Sequence, residues 1–219
     1  MFTGIVEELG AVRECRRDGD GFALSINCKT VTEGTVLGDS IAVNGVCLTV
    51  TKLDDRGFVT GLAPETRQRT NLESLAAGTA VNLERSVTPS TRMGGHFVQG
   101  HIDATGTIKE FRRDEDALWV TISAPDSLMR YIVTKGYITL DGTSLTVVDV
   151  GANWFSVTLV AYTQAHIVMP LKKQGDKVNI EVDVLGKYVE RLIQHGASNH
   201  PAQAPAGITS DFLKEHGYD

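Results

Sequence analysis

The sequence predicts an all-β protein that consists of two similar antiparallel domains in tandem, followed by a C-terminal α-helix. Three observations lead to this prediction. The sequence repeats itself at a displacement of 97 residues, apolar and polar residues alternate along both copies, and a helical pattern follows the second copy. Alternation with a period of two is typical of half-buried strands, whereas a period of about 3.6 indicates a helix.

The repeat covers most of the chain. Three blocks return in order: IAVNGVCLTV (41–50) as ITLDGTSLTV (138–147), GTAVNLER (78–85) as GDKVNIEV (175–182), and GIVEELGAV (4–12) as GHIDATGTI (100–108). The last pair is displaced by 96 residues, so the chain has gained one residue between the blocks. Solenoid repeats are much shorter, at about 20–50 residues, so each copy is predicted to be one small domain.

Strands account for most of each copy. Alternating runs such as FALSIN (22–27), LWVTIS (118–123) and KVNIEVDV (177–184) are rich in Val, Ile and Thr. Gly, Asp and Asn separate these runs, as they do in antiparallel turns. We therefore expect about six strands per copy, closed into a barrel or packed as a sandwich.

Breaks in the alternation predict the helices and the domain limits. Residues 70–77 fit a short helix before the last strand of the first copy, with Gly78 as its stop. Residues 86–95 have no periodicity and contain one Pro and two Gly, which predicts a linker. The predicted divisions are a first domain (1–96), a second domain (97–186), and a helix with a flexible tail (187–219).

The C-terminal helix is predicted over residues 186–195. Its apolar residues recur at helical spacing and are Tyr188, Val189, Leu192 and Ile193. Because the first copy has no such helix, it either docks on a domain or joins subunits. The tail from residue 197 is rich in Ala, Pro and Ser, which predicts mobility, with one further helical turn at 211–216.

Composition narrows the functional classes. The 219 residues carry a formal net charge of −6, and no run of Lys or Arg exceeds two, which argues against a nucleic-acid partner. No segment reaches the roughly 18–20 apolar residues of a membrane span, and the N-terminus lacks the pattern of a signal peptide. The three cysteines form no CxxC pair and no even disulfide set. The expectation is a cytoplasmic protein without a metal.

Polar residues follow two sister hairpins, NGVCLT (44–49) and DGTSLT (141–146). Asn-Gly and Asp-Gly favour tight turns, so the residues just beyond them are expected at the mouth of a domain. Two pairs share repeat positions there: Cys47 with Ser144, and Thr49 with Thr146. Cys47 could instead be a small buried apolar residue, the commoner role of a free cysteine.

Other polar residues occur in one copy only. At matching positions, His101 replaces Ile5, Ser40 replaces Tyr137, and Asp183 replaces Ser86. A duplicated site that performs chemistry must give its two halves different tasks, and substitutions of this kind could do so. His101 could equally be a surface or packing residue, and Lys135 a plain turn residue.

Taken together, the motifs resemble the riboflavin synthase family, whose chains contain a duplicated lumazine-binding domain. The resemblance rests on MFTGIVE at the start, the two sister hairpins, GGHFVQGHID (94–103), and VNIEVD followed by GKY (178–188). It extends to about residue 194, and STRMGGHFVQGH (90–101) and AYTQ (161–164) look most like fungal members. The implied fold is a pair of pseudo-twofold-related, six-stranded Greek-key barrels.

The resemblance also implies a reaction. Members of this family take two molecules of 6,7-dimethyl-8-(1-D-ribityl)lumazine and transfer a four-carbon unit between them, giving riboflavin and 5-amino-6-(D-ribitylamino)uracil. No cofactor or metal is implied. The implied assembly is a homotrimer joined through the C-terminal helices, with each active site between the first barrel of one subunit and the second barrel of a neighbour.

The resemblance carries site residues onto matching positions. Those implied in proton transfer or nucleophile addition are Ser40, Cys47, His101, Ser144 and Asp183. The first site is expected to comprise Gly4, Ile5, Val6, Cys47, Leu48, Thr49, Gly61, Leu62, Ala63, Pro64, Glu65 and Thr66. The second is expected to comprise Gly100, His101, Ile102, Lys135, Ser144, Leu145, Thr146, Val160, Ala161, Tyr162, Thr163, Gln164 and Ala165.

The sequence departs from the family pattern at one motif, and two other functions are compatible with the same fold. Many bacterial members repeat a Pro-Glu-Thr or Pro-His-Thr motif in the second copy, but here Ala161-Tyr162-Thr163 answers Pro64-Glu65-Thr66. A non-catalytic lumazine or flavin carrier would share the fold, and a structural adaptor is a third possibility. The complete polar set favours the enzyme, because a carrier needs only one good pocket.

Overall fold

The computed structural model describes residues 1–19, 21–196 and 210–218, and it contains two closed antiparallel barrels. The strands of the first barrel are β1 (Glu8–Asp18), β2 (Gly21–Asn27), β3 (Ser40–Val43), β4 (Val46–Asp54), β5 (Gly57–Leu62) and β6 (Ala80–Arg85). Their order around the barrel is β1-β2-β5-β4-β3-β6, so β2 pairs with β5 instead of β3, as in a Greek key.

The second barrel repeats this topology. Its strands are β7 (Ala104–Asp114), β8 (Ala117–Ser123), β9 (Tyr137–Leu140), β10 (Thr143–Val150), β11 (Trp154–Leu159) and β12 (Lys177–Val182). Their order around the barrel is β10-β11-β8-β7-β12-β9. Because the barrel is closed, the same order can be given in the other direction from β7 as β7-β8-β11-β10-β9-β12, which is the order of the first barrel with every strand number raised by six. The predicted all-β fold with two six-stranded barrels is confirmed.

Each barrel encloses its own apolar core. Phe58 in the first core and its sister Phe155 in the second are completely buried. The alternation seen in the sequence arises because every second residue of a strand points into the core. Along β8, for example, Leu118, Val120 and Ile122 are buried, and the residues between them are half-buried.

The helices differ in part from the prediction. The stretch predicted at 70–77 is a 3-10 turn at Asn71–Ser74, preceded by α1 at Pro64–Arg69. Pro64 can start a helix because its missing N–H needs no partner in the first turn. The break comes at Thr70, which has extended backbone angles and whose hydroxyl accepts a hydrogen bond from the N–H of Leu72 at 3.3 Å.

The remaining helical segments are short apart from α4. They are a 3-10 turn at Thr30–Thr32, α2 (Asp126–Met129), α3 (Ala161–His166), a 3-10 turn at Met169–Leu171, α4 (Val184–Gly196) and α5 (Ser210–Glu215). Helix α4 begins two residues before the predicted range and ends one residue after it. Within the described parts of the chain, no helix is long and apolar enough to cross a membrane.

The chain divides into two compact units, one up to Val184 and one from Leu185 onward. The first unit contains both barrels. In the second unit, the apolar residues of α4 are largely exposed: Tyr188 by 62%, Val189 by 55%, Leu192 by 70% and Ile193 by 69%. The mobility predicted for the tail concerns residues 197–209 and 219, which lie outside the described residues.

The two barrels meet at a pseudo-twofold axis through their sister hairpin turns. Gly45 and Gly142 approach so closely that a Cβ on either would lie 2.6 Å from the other's backbone nitrogen. Asn44 and Asp141 have φ angles of 45° and 44°, as the first position of a type I′ turn requires. The Asn-Gly and Asp-Gly turns therefore allow the close contact of the barrels as well as the hairpins themselves.

Sister asparagines join the barrels by matched hydrogen bonds. The side-chain amide of Asn82 donates to the carbonyl oxygen of Asp141 at 2.8 Å, and that of Asn179 donates to the carbonyl oxygen of Asn44 at 2.9 Å. Both asparagines are buried. Because buried amides without partners are costly, these bonds fix the relative position of the two barrels.

Candidate functional site

Two short segments cross at the pseudo-twofold axis. We call residues 1–6 the first strap and residues 97–102 the second strap. Phe2 and Val98 pair antiparallel, with N–H to oxygen distances of 2.7 and 3.1 Å. Both side chains are almost completely buried. The crossing point of the two straps is therefore rigidly held.

A buried glutamate anchors each strap. Glu84 accepts hydrogen bonds from the backbone N–H groups of Thr3 at 2.6 Å and Gly4 at 3.0 Å, and from the Thr3 hydroxyl. Its sister Glu181 accepts from the N–H groups of Gln99 at 2.7 Å and Gly100 at 2.9 Å. Burial raises the pKa of Glu84, and the three donors oppose this by stabilising the carboxylate.

Each strap extends over the barrel of the other copy. The N–H of Ser144 donates to the carbonyl oxygen of Gly4 at 2.8 Å, and the N–H of Cys47 donates to that of Gly100 at 2.9 Å. Val6 packs against the second core, and Ile102 packs against the first. The expected grouping of strap residues was therefore wrong.

Each site contains the three strap residues that were expected in the other site. Gly4, Ile5 and Val6 belong to the second barrel, and Gly100, His101 and Ile102 belong to the first. The physical reason is the antiparallel crossing at Phe2 and Val98, which carries each strap past the axis. The sequence repeat could not reveal this, because the two copies align in the same way whether each strap lies on its own barrel or on the other barrel.

The first mouth is formed where β4 starts and β5 ends. Val50 pairs with Thr60, so the residues before β4's midpoint and those from 61 to 66 lie at the same end of the barrel. Leu48 and Leu62 point into the core, whereas Thr49, Gly61, Ala63, Pro64 and Glu65 are exposed and Thr66 is half-buried. Ser40 pairs with Thr49 on the neighbouring strand, and the His101 side chain is exposed on the second strap.

Cys47 occupies an apolar position at this mouth. It is half-buried and packs against a small cluster of Phe2, Ala42 and Val98. A Cβ at Gly100 would lie 2.6 Å from the Cβ of Cys47, and Gly100 has a φ of +80°, so only glycine fits. The Cys47 side chain is thus compatible with the packing role and remains accessible to a ligand.

The second mouth is formed in the same way by β10 and β11. Val147 pairs with Val157, which brings the start of β10 and residues 160–165 to one end. Ser144 and Thr163 are half-buried, Leu145 is buried, and Thr146, Val160, Ala161 and Ala165 are exposed. Gln164 donates to the carbonyl oxygens of Asp116 at 2.7 Å and Leu159 at 2.8 Å, which fastens α3 to the barrel.

Two residues of this mouth stand out for their conformation. Tyr162 is 75% exposed and stacks on His166 of its own helix at 4.1 Å between ring centroids. Lys135 has a φ of +65°, a left-handed conformation that is unfavourable for a residue with a Cβ. Its sister is Gly38, with a φ of +94°. Lys135 therefore holds a conformation that glycine adopts more readily, as Gly38 does at the matching position of the first copy.

His96 is a further residue of the second mouth, and no sequence pattern predicted it. Its Nδ1 lies 2.7 Å from the Ser144 hydroxyl, its Nε2 lies 3.2 Å from the Thr139 hydroxyl, and its ring stacks on Tyr137 at 5.0 Å. Burial lowers the pKa of His96, and the nearby negative charge of Asp183 partly opposes this. His96 precedes the second strap, and its sister position would precede Met1, so a comparison of the two copies could not find it.

The five predicted catalytic residues thus divide between the mouths. Ser40, Cys47 and His101 lie at the first mouth, while Ser144 and Asp183 lie around His96 at the second. Glu84 and Glu181 were also missed as strap anchors, although their matching repeat positions were a usable signal. Among the described residues, no group of three His, Cys, Asp or Glu could hold a metal ion.

Comparison with known proteins agrees with this architecture. The sequence family described as the lumazine binding domain matches the chain twice, at residues 3–86 and 99–183. The chain is 49% identical to riboflavin synthase of Schizosaccharomyces pombe over 196 residues, which covers 89% of this chain and 94% of that protein. It is 41% identical to riboflavin synthase of Actinobacillus pleuropneumoniae over 218 residues, with both chains fully covered.

A solved structure shares the fold at lower identity. The crystal structure of LumP complexed with riboflavin superposes with a TM-score of 0.78 and 23% sequence identity, covering 84% of this chain and all of that chain. At this identity the likeness concerns the fold alone. The match with riboflavin synthase of Actinobacillus pleuropneumoniae, by contrast, extends over the full chain at 41% identity.

Proposed function

The chain belongs to the riboflavin synthase family of duplicated lumazine-binding proteins, and we propose that it is a transferase that converts two molecules of 6,7-dimethyl-8-(1-D-ribityl)lumazine into riboflavin and 5-amino-6-(D-ribitylamino)uracil. The observation that carries this proposal is the identity of 41–49% to riboflavin synthases over nearly the whole chain. The two mouths on one chain also support it. The donor and the acceptor of the four-carbon unit are the same compound, so two similar sites are needed, and the different polar residues of the two mouths would give the two molecules different roles.

Each mouth is proposed to bind one lumazine. Backbone groups of the straps and the hydroxyls of Thr49 and Thr146 are available to the pyrimidine edge of the ring, and apolar side chains cover its face. Much of the rate enhancement would come from holding the two rings in a reactive arrangement. The strap anchors Glu84 and Glu181 support such order, since they fix the backbone at both mouths.

The chemical steps require proton transfers and a nucleophile. A proton leaves the C7 methyl group of one lumazine, and a nucleophile, either water or a side chain, adds at C7 of the other. Ser40, Cys47 and His101 are the candidates at the first mouth, and Ser144 and Asp183 are the candidates at the second. Lys135 is proposed to contact the ligand at the second mouth, which its strained backbone supports.

The assembly is proposed to be a homotrimer. In it, the first mouth of one subunit faces the second mouth of a neighbour, and the α4 helices join the subunits. The exposed apolar side chains of α4 support this role, because an unpaired face of this kind is unfavourable in water. Removing residues 187–219 should therefore give smaller species in light scattering, and a trimer that survives the truncation would refute the role of the helix.

The domain limits and the location follow from the same proposal. Residues 1–96 and 97–186 are the two lumazine-binding domains, although each strap serves the other barrel, and residues 187–219 are the assembly helix and tail. A cytoplasmic location is supported by the three cysteines, which are all free. The partners are the lumazine substrate and the product riboflavin, without nucleic acid or membrane.

One experiment separates this function from its rival. The purified protein is mixed with the dimethyl lumazine, and the visible spectrum is followed over time. Formation of riboflavin supports the enzyme. A bound lumazine whose spectrum then stays constant would instead indicate a carrier, and the absence of any spectral change would contradict both.

A further inference from the structure

Three side chains form a continuous hydrogen-bonded row at the second mouth. The Ser144 hydroxyl lies 2.7 Å from Nδ1 of His96, and Nε2 of His96 lies 3.2 Å from the Thr139 hydroxyl. Thr139 is 1% exposed and His96 is 8% exposed, whereas Ser144 is half-buried at the edge of the site. The row therefore runs from the interior of the barrel to the ligand site.

The direction in which the hydrogen bonds of this row donate follows from its interior end, at Thr139. Among the residues that the structure describes, the Thr139 hydroxyl has His96 as its one hydrogen-bond partner. A buried hydroxyl proton without an acceptor is costly, so Thr139 donates its proton to Nε2. A neutral imidazole carries one proton, and with Nε2 acting as the acceptor, that proton must be on Nδ1.

The outer end of the row follows from this tautomer. Nδ1–H of His96 donates to the oxygen of Ser144, so the hydroxyl proton of Ser144 has no acceptor among the residues that the structure describes. Burial keeps His96 neutral near pH 7, because it lowers the pKa of the ring. Tyr137 stacks on the ring and keeps it in place. Ser144 is left with a donor that points away from His96.

We propose that Thr139 and His96 are positioning residues that fix Ser144 as a hydrogen-bond donor toward the ring bound at the second mouth. This selects ligands with a carbonyl oxygen or an unprotonated ring nitrogen at that place, as the dimethyl lumazine has. The first mouth differs, because the sister residue Cys47 packs among Phe2, Ala42 and Val98. The proposal rests on the proposed function only for the identity of the ligand.

The direct test is the tautomer of His96 in the full chain labelled with ¹⁵N-histidine. Nitrogen NMR distinguishes protonated from unprotonated ring nitrogens, and the His96 signals are identified by their absence in His96→Gln. The expected result is a protonated Nδ1 and a bare Nε2 near pH 7. A protonated Nε2, or a ring protonated on both nitrogens, would overturn the proposal.

Substitutions at Thr139 test the origin of this tautomer. Thr139→Val keeps the size of the side chain and removes its proton, so the fixed tautomer should be lost. Thr139→Ser should restore it. Thr121→Val makes the same change on β8 of the same barrel, away from the mouth, and should leave the His96 signals unchanged. Loss of the tautomer in Thr139→Ser, or its retention in Thr139→Val, contradicts the proposed role.

Ligand binding gives the functional readout. Riboflavin affinity at the second mouth should fall roughly three- to tenfold in Thr139→Val, the range for one oriented neutral hydrogen bond, and should recover in Thr139→Ser. An affinity equal to that of the unmodified protein in Thr139→Val would overturn the selection of ligands. Failure of the protein to convert lumazine would contradict the proposed function, while the tautomer and riboflavin measurements would still decide this proposal.

Discussion

The backbone N–H of Ser144 donates a hydrogen bond to the carbonyl oxygen of Gly4 at 2.8 Å, although the two residues belong to different copies of the repeat. The matching bond joins Cys47 to Gly100 at 2.9 Å. Each mouth is therefore completed by a strap from the other copy. A change in one strap should be felt at the mouth of the opposite barrel.

Gly4→Ala tests this exchange. Gly4 has a φ of +77°, and a Cβ there would lie 2.6 Å from the Cβ of Ser144. Calorimetry with riboflavin should show two sites on the unmodified chain and loss or strong weakening of the second-mouth site in the variant. Gly34→Ala is the matched control, because Gly34 has the same φ of +77° with no atom within 4 Å of the added Cβ.

The control isolates backbone strain from the clash. Gly34→Ala should cost about 1–2 kcal/mol of stability, the usual cost of a left-handed residue with a Cβ, and should leave both sites intact. Gly4→Ala should cost more. The exchange of straps is contradicted if Gly4→Ala weakens binding at the first mouth and spares the second.

Lys135→Gly separates stability from ligand contact. Glycine tolerates the φ of +65° found at this position, as Gly38 tolerates its own φ of +94° in the first copy. Thermal unfolding should therefore occur at an equal or higher temperature, whereas the KM for the lumazine should rise. Glu115→Gly, at another left-handed position with a φ of +55°, should affect stability alone. An unchanged KM in Lys135→Gly would mean that this lysine is only a turn residue.

The pH dependence of stability should contain a contribution from His96. Burial lowers its pKa in the folded state, whereas in the unfolded chain the pKa is near 6.5. As the pH falls below about 6.5, the unfolded state takes up a proton before the folded state does, so stability is lost toward the folded pKa. Stability attributable to His96 is thus fully present above about pH 6.5.

Urea unfolding of the unmodified protein and of His96→Gln at a series of pH values measures this contribution. The unmodified protein should lose more stability between pH 7 and pH 5 than the variant does. Parallel curves for the two proteins would show that His96 has the same pKa in the folded and the unfolded state. That result would contradict the expected lowering of its pKa by burial.

His101→Gln tests acid–base catalysis at the first mouth. Glutamine keeps much of the size and polarity of histidine but does not titrate. If His101 assists proton transfer, turnover should fall by roughly 10²-fold, the low end for general acid–base catalysis, while riboflavin affinity changes little. Both quantities should be measured on one folded preparation. A parallel fall in both indicates a binding residue, and no change in either shows that the assignment is wrong.

Much of the fold could be predicted from the sequence because its determinants are local or repeated. The alternation fixes the strands, and the Asn44-Gly45 and Asp141-Gly142 turns fix the hairpins. The start of α1 was missed, although Pro64 is a recognisable helix-starting residue. The extended Thr70 then ends this helix before the predicted range begins.

The assignment of the straps could not be predicted in the same way. Gly4 and Gly100 occupy equivalent positions, so the repeat is equally compatible with a strap on its own barrel and on the other one. The choice depends on the long-range pairing of Phe2 with Val98. His96 escaped notice because its contacts with Ser144 and Thr139 join residues more than 40 positions apart in the chain.

The most direct test of the central claim is the stoichiometry of the reaction. Purified protein is incubated with the dimethyl lumazine and no added metal or cofactor, and substrate and products are quantified by chromatography. One riboflavin and one 5-amino-6-(D-ribitylamino)uracil should form for every two lumazines consumed, as transfer of a four-carbon unit between two bound rings requires. Consumption of one lumazine per riboflavin formed, or no riboflavin at all, would contradict the account.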